Sequence, residues 1–305
     1  MDRTRETEVW GRLLTGGPLK DLGLPVVNDR FDLRGIAAPE PSVVRRHMTA
    51  TANVNELGNL VVVRGCGWKN LDFSKGQLKS LRFHDCRIED CCFDGANCSD
   101  WRMWGTSISN TSFRAADLRR AALGGVDNGR RNSFRCVDFT KADLRQTVYV
   151  SADMVGCTFS HTKIAKVDFQ GTVFVDCRFE GRLEEVQFHR HAFRGEAFPP
   201  NEMSGVDLRG AKLSHVEFRG LDMELVKWPE DEDHFVIEDY PATLDRLLAT
   251  WKTRSDAGSK RLVASFGILR RWVGAKQRVG VVSKADLLEA GGEEAVVDFS
   301  RLVGH

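Results

Sequence analysis

The sequence lacks most of the features that would assign it quickly. No apolar run is long enough to cross a membrane, and the first residues, Met1-Asp2-Arg3-Thr4-Arg5-Glu6, are not the apolar stretch of a secretory signal, so a cytoplasmic protein is expected. An excess of either charge is also missing: 44 Lys and Arg stand against 43 Asp and Glu, which removes the simplest signature of a nucleic-acid binder or of an acidic decoy. Its eight cysteines all lie between Cys66 and Cys177 and form no CxxC pair, which argues against a zinc site or a disulfide framework. Most are expected to be reduced thiols filling a core.

Catalytic signatures are absent too. There is no P-loop, GxSxG, HExxH or dinucleotide fingerprint, and "GCG" at Gly65 to Gly67 is not followed by a helical pattern. No enzyme, cofactor or metal site is expected.

What is present is a period of five. In "VDFTKADLRQ", Val137 to Gln146, the anchors Phe139 and Leu144 are five residues apart and each follows a smaller apolar residue by two. Helices repeat near 3.6 and strands at 2, so this is neither. The register runs forward through Tyr149, Met154, Phe159, Ile164, Phe169, Phe174 and Phe179. Backwards it slips by one in the Gly-rich segment Gly124 to Ser133 and resumes from Leu123 to Val63. After Phe179 it slips back and continues through Leu183, Phe188, Phe193, Phe198 and Met203 to Trp228. About 33 units cover more than half the chain, the mark of a repeat architecture.

A second period is nested in the first. Phe73, Phe93 and Phe113 are twenty residues apart, as are Phe139, Phe159 and Phe179. Four units therefore close one square turn, and equivalent side chains stack as inward columns, with these phenylalanines as the structural core. The anchor and the residue two before it point inward while the other three positions face solvent. At roughly 4.8 Å per stacked strand, eight or so turns give a rod about 40 Å long. Cys86, Cys91, Cys157 and Cys177 fall at inward positions and read as core. The register puts His191 inward and His189 outward, so the two do not converge on a metal.

The units "ADLRR" (Ala116 to Arg120), "ADLRQ" (Ala142 to Gln146), "VDLRG" (Val206 to Gly210) and "CRFEG" (Cys177 to Gly181) match an A(D/N)LXX pattern, and the chain resembles the pentapeptide repeat proteins. The resemblance covers Val63 to Trp228. It implies a fold class of all-β solenoid, a right-handed quadrilateral β-helix, here followed by a small α-helical C-terminal domain.

Several stretches depart from the pattern. Trp101, in "DWRMWG", occupies a small-residue position, so that side is expected to be distorted or its ring turned outward, either as a binding pair with Trp104 or packed on the N-terminal segment. "GGVDNGRRNS", with Arg130 and Arg131, reads as a loop on a rigid scaffold, either a binding loop or a plain bulge.

The flanks differ from the coil. Residues 1–60 read as an N-terminal cap in which "FDLRG" (Phe31 to Gly35) begins the coil early, before an excursion from Ala37 to Gly58; the coil takes 61–228; and 229–305 read as an α-helical domain or cap. There Leu244, Leu247, Leu248 and Trp251 share one helical face, and Leu262, Val263, Phe266, Leu269 and Trp272 another. A third helix is expected over Lys284 to Ala290, with Ser283 as N-cap, and a short fourth segment over Val296 to Val303. Basic residues far outnumber acidic ones between Arg246 and Arg278. Arg270, Arg271, Lys276 and Arg278 around Trp272 are compatible with an anionic partner or with a merely solvated helix face.

Two function classes remain. One is a rigid scaffold presenting ladders of outward side chains to a partner protein. The other comes from the resemblance, which implies a mimic of duplex DNA that binds type II topoisomerases such as DNA gyrase and protects them from inhibitors. A mimic needs a strongly negative surface. Asn59 to Trp228 holds 25 basic and 22 acidic residues, so the scaffold is favoured. Direct nucleic-acid binding is not expected, the partner is unidentified, and pairing of rods into a homodimer is one arrangement the helical end allows.

Overall fold

The computed structural model describes residues 2–47, 59–192, 198–273 and 277–303. The period of five is a backbone corner. From Gly65 to Arg120 every fifth residue lies in the left-handed region, with φ between 47° at Asn110 and 65° at Ser80. Val, Ile and Thr, for which positive φ is most costly, never occupy this corner in the described coils, whereas Gly, Asn, Asp and Ser recur there. Between corners the residues alternate, with the anchor and the residue two before it buried.

Four corners close one coil, and parallel pairing stacks each coil on the last. On one face Gly67–Lys69, Arg87–Glu89, Ser107–Ser109, Arg130–Arg135, Ala152–Val155 and Val173–Val175 form a continuous parallel stack. Single bridges such as Asp72 to Cys92 to Ser112, and Gln77 to Asn97 to Asp117, carry the stacking on other faces. Backbone groups therefore bond between coils: Phe73 N donates to Cys92 O at 2.7 Å, and Cys92 N to Leu71 O at 2.9 Å. The core is a β-helix.

The predicted phenylalanine column forms inside it. Ring centroids are separated by 5.1 Å (Phe73–Phe93), 4.8 Å (Phe93–Phe113), 5.7 Å (Phe113–Phe139), 5.1 Å (Phe139–Phe159) and 4.6 Å (Phe159–Phe179), with planes within 14° of parallel. The spacing follows the strand spacing, so the backbone ladder dictates the stack. A second column runs through Tyr149, Phe169, Phe188 and Phe218.

Two insertions interrupt the coil. Phe113 and Phe139 are six residues further apart than one turn, and the surplus is a hairpin that pairs Val126 with Arg131 and Asp127 with Arg130 across Asn128-Gly129, both at positive φ. Asn132 anchors it. This fully buried side chain accepts from Thr106 N at 2.9 Å and donates to Met103 O and Leu123 O, each at 2.9 Å. A second surplus of ten residues separates Phe188 from its partner Phe218. Asn201, also fully buried, closes it by accepting from Phe174 N and Met203 N, each at 3.1 Å. The expected anchors Phe193 and Phe198 fall in this excursion. Phe193 lies outside the described residues, and Phe198 is a half-buried side chain beneath the Arg131 guanidinium, 4.9 Å from the ring centre, rather than a coil anchor.

Both ends of the coil are covered. "FDLRG" is a coil unit: Phe31 pairs in parallel with Leu71, and Ala37 bridges to Gln77. Helix α1 (Arg3–Thr15) lies over this end, where Glu6 accepts from Ala37 N at 3.1 Å and Trp10 Nε1 donates to Ala37 O at 2.7 Å. A short helix α2 (Pro41–His47) follows the first coil unit. At the far end α3 (Tyr240–Lys252), α4 (Ala257–Trp272) and α5 (Lys284–Val303) pack around Leu244, Leu247, Trp251, Leu262, Phe266 and Phe299. The expected third and fourth helices are the two halves of α5, broken at Gly292 with φ 70°. Sequence reading missed an antiparallel pair, His234–Ile237 with Gly280–Ser283. Trp272 is not in the helical core. It is 39% exposed and lies under Arg219, whose guanidinium carbon is 4.4 Å from the ring.

The helical domain also caps the last coil chemically. Leu213 N donates to His234 Nε2 at 3.0 Å, His215 N to both Asp286 oxygens at 3.1 Å, and Gly220 N to Gln277 Oε1 at 3.1 Å. These amides have no further coil to pair with. Because His234 Nε2 accepts, its Nδ1 carries the proton and donates to Asp231 at 2.7 Å.

Replacing Phe159 by Ala should cost about 3–5 kcal/mol, and replacing it by Asp should abolish cooperative folding, because an unpaired charge enters a closed column. Lys163→Asp, on the exposed face, should melt close to the parent. Equal melting temperatures for the two Asp variants would refute the inward and outward assignment.

Candidate functional site

The outward surface is set by a recurrent local unit. In "DLR" the Asp precedes the buried Leu and the Arg follows it, so both side chains emerge on one side of the strand. Four copies adopt one geometry. Asp32, Asp117, Asp143 and Asp207 each accept on Oδ1 from the backbone N of the Arg two residues on, at 3.0–3.2 Å, and from its Nε at 2.8–3.1 Å. Oδ2 of each then takes the same guanidinium's Nη2 at 2.6–2.7 Å. This is a bidentate clasp closed within three residues.

The clasp sets the electrostatics of the coil. Bonds from Arg209 pull the Asp207 carboxyl down to about 2, and the Arg34 and Arg119 bonds lower Asp32 and Asp117. Burial would raise Asp143, but the Arg145 bonds outweigh it. Each carboxylate stays ionised beside a cation. These four charges before the anchors are thus neutralised locally.

The candidate binding residues are mostly engaged within the fold. Trp101 lies inside the tube, fully buried and undistorted, with Nε1 donating to Leu78 O at 2.6 Å and its ring 4.8 Å from Phe83 and 5.4 Å from Phe93. It fits because the residue at its position in the next coil is Ala121. Trp104 points the other way and stacks on His84 at 4.4 Å, so the two tryptophans form no pair. In the hairpin, Arg130 pairs with Asp85 and Arg131 with Asp153, which fastens the loop to the coil below and the coil above. Arg270 holds Asp245 at 2.8 Å across α3 and α4, and Arg278 holds Glu224 at 3.2 Å. Arg271 is exposed, and Lys276 lies outside the described residues.

The histidines and thiols follow the same logic. His189 follows the inward Phe188 and so emerges on the outer side as expected, but it is covered there, with Nε2 2.9 Å from Asp168; His191, expected inward, is half-buried. Among the described residues no cluster of His, Cys, Asp and Glu could hold a metal ion. Burial pushes the Cys86 thiol up to about 11 and Cys91 to about 12, as suits core thiols rather than nucleophiles. Cys136 is exposed and Cys92 half-buried, outside the inward set. A groove of about 480 Å³ opens where the last coil meets α4 and α5, with His215, Asp286, Arg261 and Ile268 among its walls, and burial raises the Asp286 carboxyl. No helix among the described residues is long and apolar enough to cross a membrane.

The clasps predict an acid response. An unfolded Asp takes up its proton near its ordinary value of about 4, whereas the clasped Asp207 does so near 2, so the stability it contributes is present above pH ~4 and is lost as pH falls towards 2. Arg209→Gln should flatten this part of the curve of melting temperature against pH. Identical slopes for the parent and variant would show that the clasp contributes nothing.

Comparison with known proteins agrees with this unit. Residues 91–127 and 151–181 match the family model described as pentapeptide repeats, in eight copies. No curated protein matches the chain. Among solved structures it is similar to Rfr23 from the cyanobacterium Cyanothece 51142, at 11% identity over 55% of this chain and 90% of that one, with a TM-score of 0.28. HetL, involved in heterocyst differentiation regulation in Nostoc sp. strain PCC 7120, is 14% identical over 69% and 88%, with a TM-score of 0.33. Full-length QnrB1, a plasmid-mediated fluoroquinolone resistance protein, is 12% identical over 52% and 93%, with a TM-score of 0.18. Superpositions this loose carry no argument about function. The two matched segments are pentapeptide repeats, and the same corner recurs every fifth residue through the coils around them.

Proposed function

We propose that the chain is a non-enzymatic scaffold whose β-helix presents outward side-chain ladders to a partner protein. The observation that carries this reading is the clasp. Where the Asp of a DLR unit is held by the Arg two positions on, as at Asp32, Asp117, Asp143 and Asp207, the coil offers a rigid and locally neutral surface, suited to directional polar contacts with another protein. Mimicry of DNA would need carboxylates left free to replace phosphates in a cationic groove. Here the same carboxylates already hold guanidinium groups, which ranks protection of a type II topoisomerase second.

The test has two arms with the full-length chain. Affinity capture from nuclease-treated lysate of its own host should recover a protein partner in stoichiometric amount, retained by exposed coil residues and lost when they are substituted. Adding the chain to purified DNA gyrase should leave supercoiling, and its inhibition by a fluoroquinolone, unchanged. Protection of gyrase would put the mimic in place of the scaffold, and failure to recover any stoichiometric protein would sink the scaffold reading.

A further inference from the structure

One column on the rod carries charge that the fold does not balance. On the face that includes Gln77, the outward residue before each anchor runs in register through Asn97, Asp117, Asp143 and Lys163. Ile164 then pairs with Leu183, which stacks Lys163 beneath Arg182, and Arg182 pairs with Lys212. Three cations thus stand directly opposite one another at about 4.8 Å per strand, an arrangement that is destabilising without a counter-charge. Where arginines stack elsewhere on the coil, a carboxylate is shared: Arg82 and Arg102 both hold Asp100 at 3.0 Å. Here Asp143 is already closed in its clasp with Arg145, and the one carboxylate beside Arg182 is the half-buried Glu184 at 3.2 Å. Lys163 and Lys212 are exposed and make no ion pair among the described residues.

The column also runs beside a dent. Ile164 and Leu183 are 19 residues apart rather than 20, so the unit around Arg182 is one residue short. Its corner is Gly181, with φ 84°, where a Cβ would lie 3.0 Å from His161 Nδ1. Beside this unit lies a notch of about 310 Å³ whose walls include Arg145, His161, Lys163 and Arg182, with Glu184 as its one carboxylate.

We propose that this notch binds a compact polyphosphate group, as found in inorganic tripolyphosphate or at the end of a nucleoside triphosphate. The volume is at the lower end of the range for small-ligand sites, which suits a compact anion better than a broad acidic protein face. Two guanidinium groups and an ammonium line it against a single carboxylate, Glu184. Arg145 spends Nε and Nη2 on Asp143 and keeps Nη1 for an incoming oxygen. Lys212 extends the cationic column beyond the notch, where a chain of several phosphates would reach and a single phosphate would not. The site is independent of the scaffold reading, since either can fail without the other.

Calorimetry at low ionic strength tests it, with sodium tripolyphosphate titrated into the full chain and with ATP in a parallel arm. Lys163→Gln combined with Arg182→Gln should weaken tripolyphosphate by at least about tenfold, while Lys75→Gln combined with Lys79→Gln, which removes the same charge from another part of the rod, should leave it unchanged. Melting temperatures no lower than the parent's in both double variants keep the comparison about binding. If ATP binds through the same residues and more tightly, the source is a nucleotide; if tripolyphosphate binds and ATP does not, it is an inorganic chain. No binding to the parent chain, an equal loss in the control variant, or tighter binding of an octaglutamate peptide at the same residues would overturn the assignment.

Discussion

The left-handed corner at every fifth residue is the constraint on which the rest depends. It turns the chain before a strand can grow beyond a few residues, so the peptide groups of a short side bond to the coils on either side. Inter-coil pairing at strand spacing then fixes the side-chain columns. The phenylalanines stack nearly parallel because their backbones are already stacked, and not because the rings chose that geometry. The same dependence makes the ends vulnerable, because a final coil has amides and carbonyls with no successor. Glu6 and Trp10 on Ala37 at one end, and His234, Asp286 and Gln277 on the last coil at the other, are side chains standing in for a missing strand.

The insertions obey the same accounting. A coil can admit extra residues only where the interrupted ladder is made good, and at both surplus segments a fully buried Asn does this from the inward position two before the next anchor. An amide side chain offers a donor and an acceptor in nearly peptide geometry, so it can bond the groups that an uninterrupted coil would have met. An apolar residue there would leave several buried backbone groups unpaired. These two positions break the apolar pattern, and the break marks where the chain leaves and rejoins the coil.

The sequence made the coil legible because its period is carried by volume and polarity, and both survive in the residue string. The six-residue hairpin showed as a slip of one, since six exceeds a unit by one. The ten-residue excursion was invisible because ten is two whole units, so Phe193 and Phe198 kept the arithmetic register while Phe198 sits outside the coil. Trp101 was misplaced for a different reason. Its fit depends on Ala121 in the following coil, a contact twenty residues away that no single unit reveals. The candidate surface was legible only in part. "DLR" could be read as text, but whether Asp and Arg would clasp each other or present separate charges depends on both emerging on one side of a short extended segment. The clustered cations of α4 looked available in sequence, and Arg270 proves to be spent on a neighbouring helix.

Local neutralisation has a consequence for recognition. A ladder of clasped pairs has almost no field at a distance, because each charge is cancelled within a few ångströms and residual fields are screened over about 10 Å in salt. Such a surface cannot steer a charged partner from afar and must act through contact. Long-range attraction can come only from places where the clasp fails. The stretch from Lys163 to Lys212 is one of these, where the residue before the anchor becomes basic and only Arg182 has a carboxylate, Glu184, beside it. In a repeat this regular the exceptions carry the information, and here the exception in charge lies beside the short step between Ile164 and Leu183. The two would be unrelated if the surface were merely solvated, whereas a binding site needs both: space for the ligand and unspent charge to hold it.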